Sequence, residues 1–313
     1  LIADLFAKNF SNEFLDQGDD GARLPQPKGE LVMATDSHVV SPIFFAGGDI
    51  GGLSIHGTVN DVAVCGATPL YISCGFILEE GFPLSDLKRI VESMAAAAKE
   101  AGVKIVTGDT KVVERGKADG IYINTCGVGV LPEGVRLSGA NCRPGDVIAI
   151  SGDGVAVMSQ RVNLGFETGV VSDSASLNRL TEKLVAEIPS LRCMRDPTRG
   201  GLGTTLNEIA KQSSVGMVLE EDKIPVKESV EAACEFLGLD PLYVANEGKV
   251  IAICAPEEAE KMLQIMRDDP LGKNAQIIGR CIEDENHFVQ METGFGGVRM
   301  VDWLTGEQLP RIC

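Results

Sequence analysis

Leu31-Val32-Met33-Ala34-Thr35-Asp36-Ser37 is the stretch that decides how this chain is read. An apolar run with β-competent residues forms a strand and delivers an aspartate at its end. Outward from it, a helical segment is predicted over about 52–65, then a strand over Leu70-Tyr71-Ile72-Ser73-Cys74-Gly75-Phe76-Ile77-Leu78. Ser85 is predicted to cap an amphipathic helix to Ala101, with Leu87, Ile90, Val91, Met94 and Ala98 on one stripe. Strands over 103–106 and 120–130 complete this half. Strand and helix alternate, so the fold class is α/β (α+β), with mixed sheets and flanking helices.

Residues 132–144 turn loop-like, with Pro132, Gly134, Gly139, Asn141 and Pro144, and mark a domain boundary. The second half repeats the alternation: strand 147–150, helices 175–188 and 203–212, strand 215–219, helix 230–237, strand 249–254, helix 256–268, and strands to 301. The expected organisation is a first domain over 1–134, a second over 135–303, and a mobile tail over 304–313. At 313 residues, two domains of ordinary size are the default.

Hydrophobic residues make up 44% and charged residues 23%, which is globular composition, and no run has the length of a membrane span or a signal peptide's layout. The net charge of -17 argues against nucleic acid or an anionic membrane as partner. It does not argue against ATP, because magnesium bridges carboxylates to phosphates. The nine cysteines are odd in number and include no C-x-x-C pair, while the three histidines are scattered. This points to a reducing cytoplasm, with neither a disulfide framework nor a zinc site.

Four acidic motifs carry the chemistry: Thr35-Asp36-Ser37, Asn60-Asp61-Val62-Ala63, Thr107-Gly108-Asp109-Thr110-Lys111 and Asp196-Pro197-Thr198-Arg199-Gly200-Gly201. Asp36 and Asp109 are expected just after strands, at the rim where α/β sheets gather ligands, and Asp61 on a helix. Aspartates from separate loops suit magnesium, which takes hard oxygen ligands; Lys111 and Arg199 suit phosphoryl oxygens. Taken singly, each motif also reads as a cap or a turn. No G-x-x-x-x-G-K-[ST] occurs, so a P-loop is excluded. Ala245-Asn246-Glu247-Gly248-Lys249 is a polar turn whose carboxylate is a candidate general base. The chain ends in Leu309-Pro310-Arg311-Ile312-Cys313; the ten residues after Trp303 span up to roughly 33 Å when extended, enough to carry the thiol into a cleft.

Together with that terminal cysteine, these motifs resemble the HypE family of hydrogenase maturation proteins, within the superfamily of aminoimidazole ribonucleotide synthetase. The acidic motifs alone reach only the superfamily, which also holds selenophosphate synthetases and thiamine monophosphate kinases; the Cys-ended tail singles out HypE. The resemblance implies that superfamily's two-domain fold, with an N-terminal domain that binds ATP and dimerises. It further implies a carbamoyl dehydratase that uses ATP and Mg2+ to convert an S-carbamoyl group on Cys313 into a thiocyanate. The cyanide is then destined for the iron of a nickel–iron hydrogenase. Implied partners are a second copy of the chain, the carbamoyltransferase HypF and the HypC–HypD iron-scaffold complex, in the cytoplasm.

By the same resemblance Cys313, Lys111 and Glu247 are catalytic. Asp36, Asn60, Asp61, Asp109, Thr110, Lys111 and Arg199 hold the nucleotide, and Asp36, Asp61 and Asp109 the metal. Two departures stand out. The His-Gly-Ser-Gly-Gly-like opening of the family is missing from a chain that begins without Met, and Asp153 meets Gly154 directly where the family has further residues. Segments are expected to be missing from the sequence at both places.

Overall fold

The computed structural model describes residues 2–152 and 170–304. Cys313, the tail that carries it and the Asp153-Gly154 junction lie outside the described residues. The first domain is built on a four-stranded sheet of order β1-β4-β2-β3, from β1 (Glu30–His38), β2 (Thr68–Glu79), β3 (Lys104–Val113) and β4 (Ile121–Leu131). β4 runs antiparallel to both β1 and β2, whereas β2 and β3 are parallel. A parallel pair needs a long crossover, and α2 (Leu84–Ala101) supplies it. α1 (Ile50–Val64) and α2 cover one face, where Leu53, Leu87, Ile90 and Met94 pack on Ile72, Phe76 and Ile123.

Much of the other face of this sheet is left open by the described residues. There Leu31 is 59%, Met33 72% and Ile77 42% exposed.

Two boundaries differ from expectation. β3 continues past residue 106, so Asp109 lies inside a strand and not after one. The polar run Thr107-Gly108-Asp109-Thr110-Lys111 hides the strand because β3 is the sheet's edge and much of it faces water. Gly108 is what lets it pair onward, since a Cβ there would lie 2.4 Å from the Cys74 carbonyl oxygen. Likewise β1 runs through Asp36 to His38. Ser85 sits in the first turn of α2, behind Pro83, and no side-chain cap bond forms. Pro83 is itself the N-cap, and its carbonyl accepts from the Asp86 and Leu87 amides at 3.1 Å.

The second domain carries a seven-stranded sheet of order β11-β10-β7-β9-β5-β8-β6. Its strands are β5 (Val147–Ile150), β6 (Leu191–Arg195), β7 (Gly216–Glu220), β8 (Ile251–Cys254), β9 (Gln276–Ile282), β10 (Val289–Glu292) and β11 (Val298–Met300). α3 (Asn178–Glu187) and α6 (Ala259–Arg267) cover one face; α4 (Gly201–Ser213) covers the other. The continuous apolar run of β8 follows, because every one of its residues is buried between these layers. α5 (Glu228–Leu237) packs outside through Val230 and Cys234. The eight cysteines among the described residues are free thiols. Among the same residues no helix is long and apolar enough to cross a membrane.

α1 has no polar stripe: from Ile50 to Val64 only His56 and Asp61 escape full burial. It packs against α2 on one side and against α3 and β6 of the second domain on another. A helix apolar all round is one buried on all sides. Its start is fixed by Asp49, whose side chain accepts from the Gly51 and Gly52 amides.

Candidate active site

Four carboxylates from four parts of the chain meet where α1 touches both domains. Asp36 comes from the helix-side face of β1, Asp61 from the last turn of α1, Asp196 from the residue after β6, and Glu247 from the turn before β8. Gly57 makes the space between them. A Cβ on it would stand 3.2 Å from Asp36 Oδ2, 3.3 Å from His38 Cε1 and 3.4 Å from Glu247 Oε2. His38 is fully buried, with Nε2 3.4 Å from Asp36 Oδ2. Burial holds its imidazole neutral against the pull of Asp36.

The cluster is electrostatically strained. Burial, then the charges of Asp196 and Asp36, push Asp61 up to about 7. Burial pushes Asp196 up to about 6, and Asp36 adds to the rise. Glu247, 1% exposed, is held well above the carboxylate range by burial first and then by Asp196, Asp36, Asp173 and Asp61. Asp196 Oδ2 and His38 Nδ1 are buried with no hydrogen-bond partner in the protein. A pocket of like charges with an orphaned Asp196 oxygen is a place for a cation or a proton donor.

The backbone of Glu247 is clamped from several sides. Its carbonyl oxygen accepts from Asn60 Nδ2 at 2.8 Å, and its amide donates to Asp173 Oδ1 at 3.4 Å. The Asn246 amide donates to the Pro197 carbonyl at 2.9 Å. At Gly248 a Cβ would lie 1.7 Å from the Asp173 carbonyl oxygen, so no side chain fits there.

Asn60, expected at the nucleotide, is engaged within the protein. Its amide is fully buried and donates to the carbonyls of Ala175 and Glu247, while its Oδ1 accepts from the Leu177 amide at 2.8 Å. All three contacts are to protein backbone.

The expected metal triad of Asp36, Asp61 and Asp109 is not brought together within the chain. In register, Ser37, Asn124, Gly75 and Asp109 follow one another across β1, β4, β2 and β3. Asp36 and Asp109 are therefore separated by three strand spacings, about 14 Å, and Asp109 points to the open face. Magnesium ligands sit only ~2 Å from their ion. Lys111 Nζ lies 3.0 Å from Asp109 Oδ2, and its hydrogen bond, with that of the Thr110 amide, holds Asp109 below the usual range. Arg199 is exposed in the loop between β6 and α4. Asp109 and Thr110 also edge a cavity of about 720 Å³ walled by Phe6, Phe10, Cys74, Phe76 and Ile105.

Sequence reasoning passed over Asp196, His38 and Asp173. Asp196 stood inside a quoted motif, and recognising Leu191-Arg192-Cys193-Met194-Arg195 as a strand would have placed it just after a strand end. His38 and Asp173 carried no such signal.

The family models for AIR synthase related proteins match this chain, the N-terminal domain over residues 18–131 and the C-terminal domain over 143–292. Carbamoyl dehydratase HypE of Azotobacter vinelandii is 64% identical over 317 residues, covering 100% of this chain and 93% of that protein. The crystal structure of hydrogenase maturation protein HypE in complex with ATP superposes with a TM-score of 0.95 at 53% identity, covering 100% of this chain and 96% of that one. That of a HypE–HypF complex gives 0.85 at 51% identity, covering 97% and 99%. A buried acidic pocket between two AIR synthase-type domains, in a sequence this close to those relatives along its whole length, leaves one assignment: the chain belongs to the HypE family of carbamoyl dehydratases.

Proposed function

We propose that this protein uses ATP to dehydrate an S-carbamoyl group on its own Cys313, leaving a thiocyanate whose cyanide goes to the iron of a nickel–iron hydrogenase. The observation that carries this reading is Glu247: a buried carboxylate of raised proton affinity, on a clamped backbone, beside a space lined by aspartates. The carboxamide oxygen is a poor leaving group. Transfer of the ATP γ-phosphoryl group to it, with loss of one N–H proton, makes it a good one. Departure of phosphate with the second N–H proton then closes the C≡N bond. Glu247 takes a carboxamide proton, and Lys111 assists at the phosphates.

Burial serves this chemistry, because water in the pocket would hydrolyse the activated carboxamide. Mass spectrometry of the C-terminal peptide, after incubation with carbamoyltransferase, carbamoyl phosphate and magnesium-ATP, tests the reading. The carbamoylated peptide is expected to lose one water; a peptide that keeps its water while ATP is consumed would refute it.

Magnesium fits the pocket. Asp36 and Asp61 offer hard oxygens, and Asp196 Oδ2 lacks a protein partner. Among the described residues no three His, Cys, Asp or Glu side chains form a ready metal cage. That suits an ion that binds through one or two carboxylates and completes its shell with water and phosphates. Bound there, magnesium would tie the carboxylates to the nucleotide and offset their charge.

A pH dependence follows. Asp61 and Asp196, raised to about 7 and about 6, bind protons in the fold that the unfolded chain has already released. Their stabilisation is present near pH 4 and is lost as pH rises through 6 and 7. The melting temperature of EDTA-treated protein should fall across that window, and magnesium or Asp61→Asn should flatten the fall. Identical melting curves from pH 5 to 8 without the metal would remove the strain from the pocket.

The open face of the first sheet, with Leu31, Met33 and Ile77 exposed on it, suits a second copy of the chain. Asp109 and Lys111 lie on that face, so in this reading they serve the nucleotide from the interface. The cavity beside Asp109 and Thr110 offers apolar walls to an adenine. Light scattering at micromolar concentration is expected to give twice the chain mass, and the monomer mass would count against the pairing. HypF, the partner in a related complex, is the proposed carbamoyl donor, and the HypC–HypD complex the proposed acceptor of cyanide, in the cytoplasm.

A further inference from the structure

We infer that Asn60 is a positioning residue for Glu247: it sets where the carboxylate stands by holding the Glu247 carbonyl and the segment beside it across the boundary between the two domains. The inference rests on the reading of Glu247 as the group that takes the carboxamide proton.

Both polar atoms of the Asn60 side chain are engaged by backbone. Its side chain is fully buried, and its amide hydrogens go to the carbonyls of Ala175 at 3.0 Å and Glu247 at 2.8 Å. Its oxygen takes the Leu177 amide at 2.8 Å. One side chain on a first-domain helix thereby ties together two segments of the second domain. The Ala175 amide, in turn, points at the Glu247 carbonyl at 3.5 Å, so both segments share that oxygen. No other common side chain reproduces the set. Aspartate keeps the acceptor but sets a charge against two carbonyls, serine reaches fewer partners, and glutamine is one methylene too long.

The same face of α1 also carries Gly57, one turn earlier, and residues three apart on a helix are neighbours. Gly57 leaves room for the Glu247 carboxylate, and Asn60 fixes the backbone from which that carboxylate projects. The two act on one residue from one helix face. Asp61, next in sequence, turns its own carboxylate toward the same pocket. Asn60 and Asp61 thus divide the work of their dipeptide, one holding protein and the other available to the ligand.

A misplacement of about 1 Å at a reacting group costs on the order of 100-fold in rate. Asn60→Ala should therefore lower kcat for dehydration by roughly that factor, at a temperature where circular dichroism shows the variant folded, with the KM for ATP within about twofold. A rise in KM with kcat kept would make Asn60 a nucleotide ligand, and a lower melting temperature with kcat kept would make it merely structural; either overturns the inference. Should the alanine variant not fold, Asn60→Ser, which retains part of the bonding, carries the same comparison.

A double-mutant cycle separates this inference from the reading beneath it. If Asn60 acts through Glu247, adding Asn60→Ala to Glu247→Gln costs no further kcat, whereas an additive loss overturns the positioning role. Glu247→Gln with normal turnover sinks the base assignment. Glu247→Gln inactive and Asn60→Ala normal sinks this inference alone.

Discussion

Cys313→Ala is expected to abolish thiocyanate formation outright while leaving the fold and ATP binding as they are. In the proposed reaction the acceptor of the carbamoyl group is the thiol itself, so no neighbouring group substitutes for it, and alanine removes the sulfur without altering the described domains. Two measurements make the case together. Hydrogenase maturation in a strain carrying the variant should fall to background, and the melting temperature of the purified protein should stay within a degree or so of the parent. Normal maturation by Cys313→Ala would mean that the carbamoyl group rides elsewhere. Among the cysteines of the described residues, Cys65 is the exposed thiol nearest the acidic pocket in electrostatic terms, and would be the next to replace.

Glu247→Gln has the next largest expected effect, and it moves activity and stability in opposite directions. Glutamine keeps the shape and the backbone clamp but cannot accept a proton. Loss of a positioned general base typically costs 10²–10⁴-fold, and dehydration should slow by about that much with ATP binding retained. The same change removes a buried carboxyl surrounded by Asp196, Asp36, Asp173 and Asp61, so the variant should melt higher than the parent at neutral pH. Calorimetry alongside single-turnover dehydration tests both halves. A variant that is slow and also less stable would mean that Glu247 is held by interactions a neutral amide cannot keep, which points to a structural role.

Much of this was legible from residues alone, and the gaps have physical causes. Periodicity found α2, β2 and β4 because each turns a regular apolar pattern toward one core. It lost β6 and cut β3 short, and both are edge strands, where one side is solvated and Arg192, Arg195, Asp109 and Lys111 replace the alternation. Three residues of the acidic motifs, Asp36, Asp61 and Asp196, share one pocket with Glu247. Asn60 lies on the expected helix, and its bonds to backbone across the domain boundary were not legible. Sequence shows an amide beside an aspartate; it does not show that two distant carbonyls and an amide use up its hydrogen bonds. Asp173 was invisible for a similar reason, since its role exists only once Gly248 has come to rest against its carbonyl.

The four carboxylates of the pocket also emerge from the ribosome at very different times. Asp36 and Asp61 belong to the first domain, whose sheet is complete once β4 ends at Leu131. Asp196 follows, and Glu247 comes last. At about 5–20 residues per second the wait between Asp36 and Glu247 is on the order of ten to forty seconds. While they wait, Asp36 and Asp61 already act on one another, but the turn that carries Glu247 has not yet buried them or added its charge. Those costs fall due only when the turn before β8 docks onto Asn60. The nascent first domain is thus free to form around an acidic patch that would resist burial, and the pocket closes as a final step of folding.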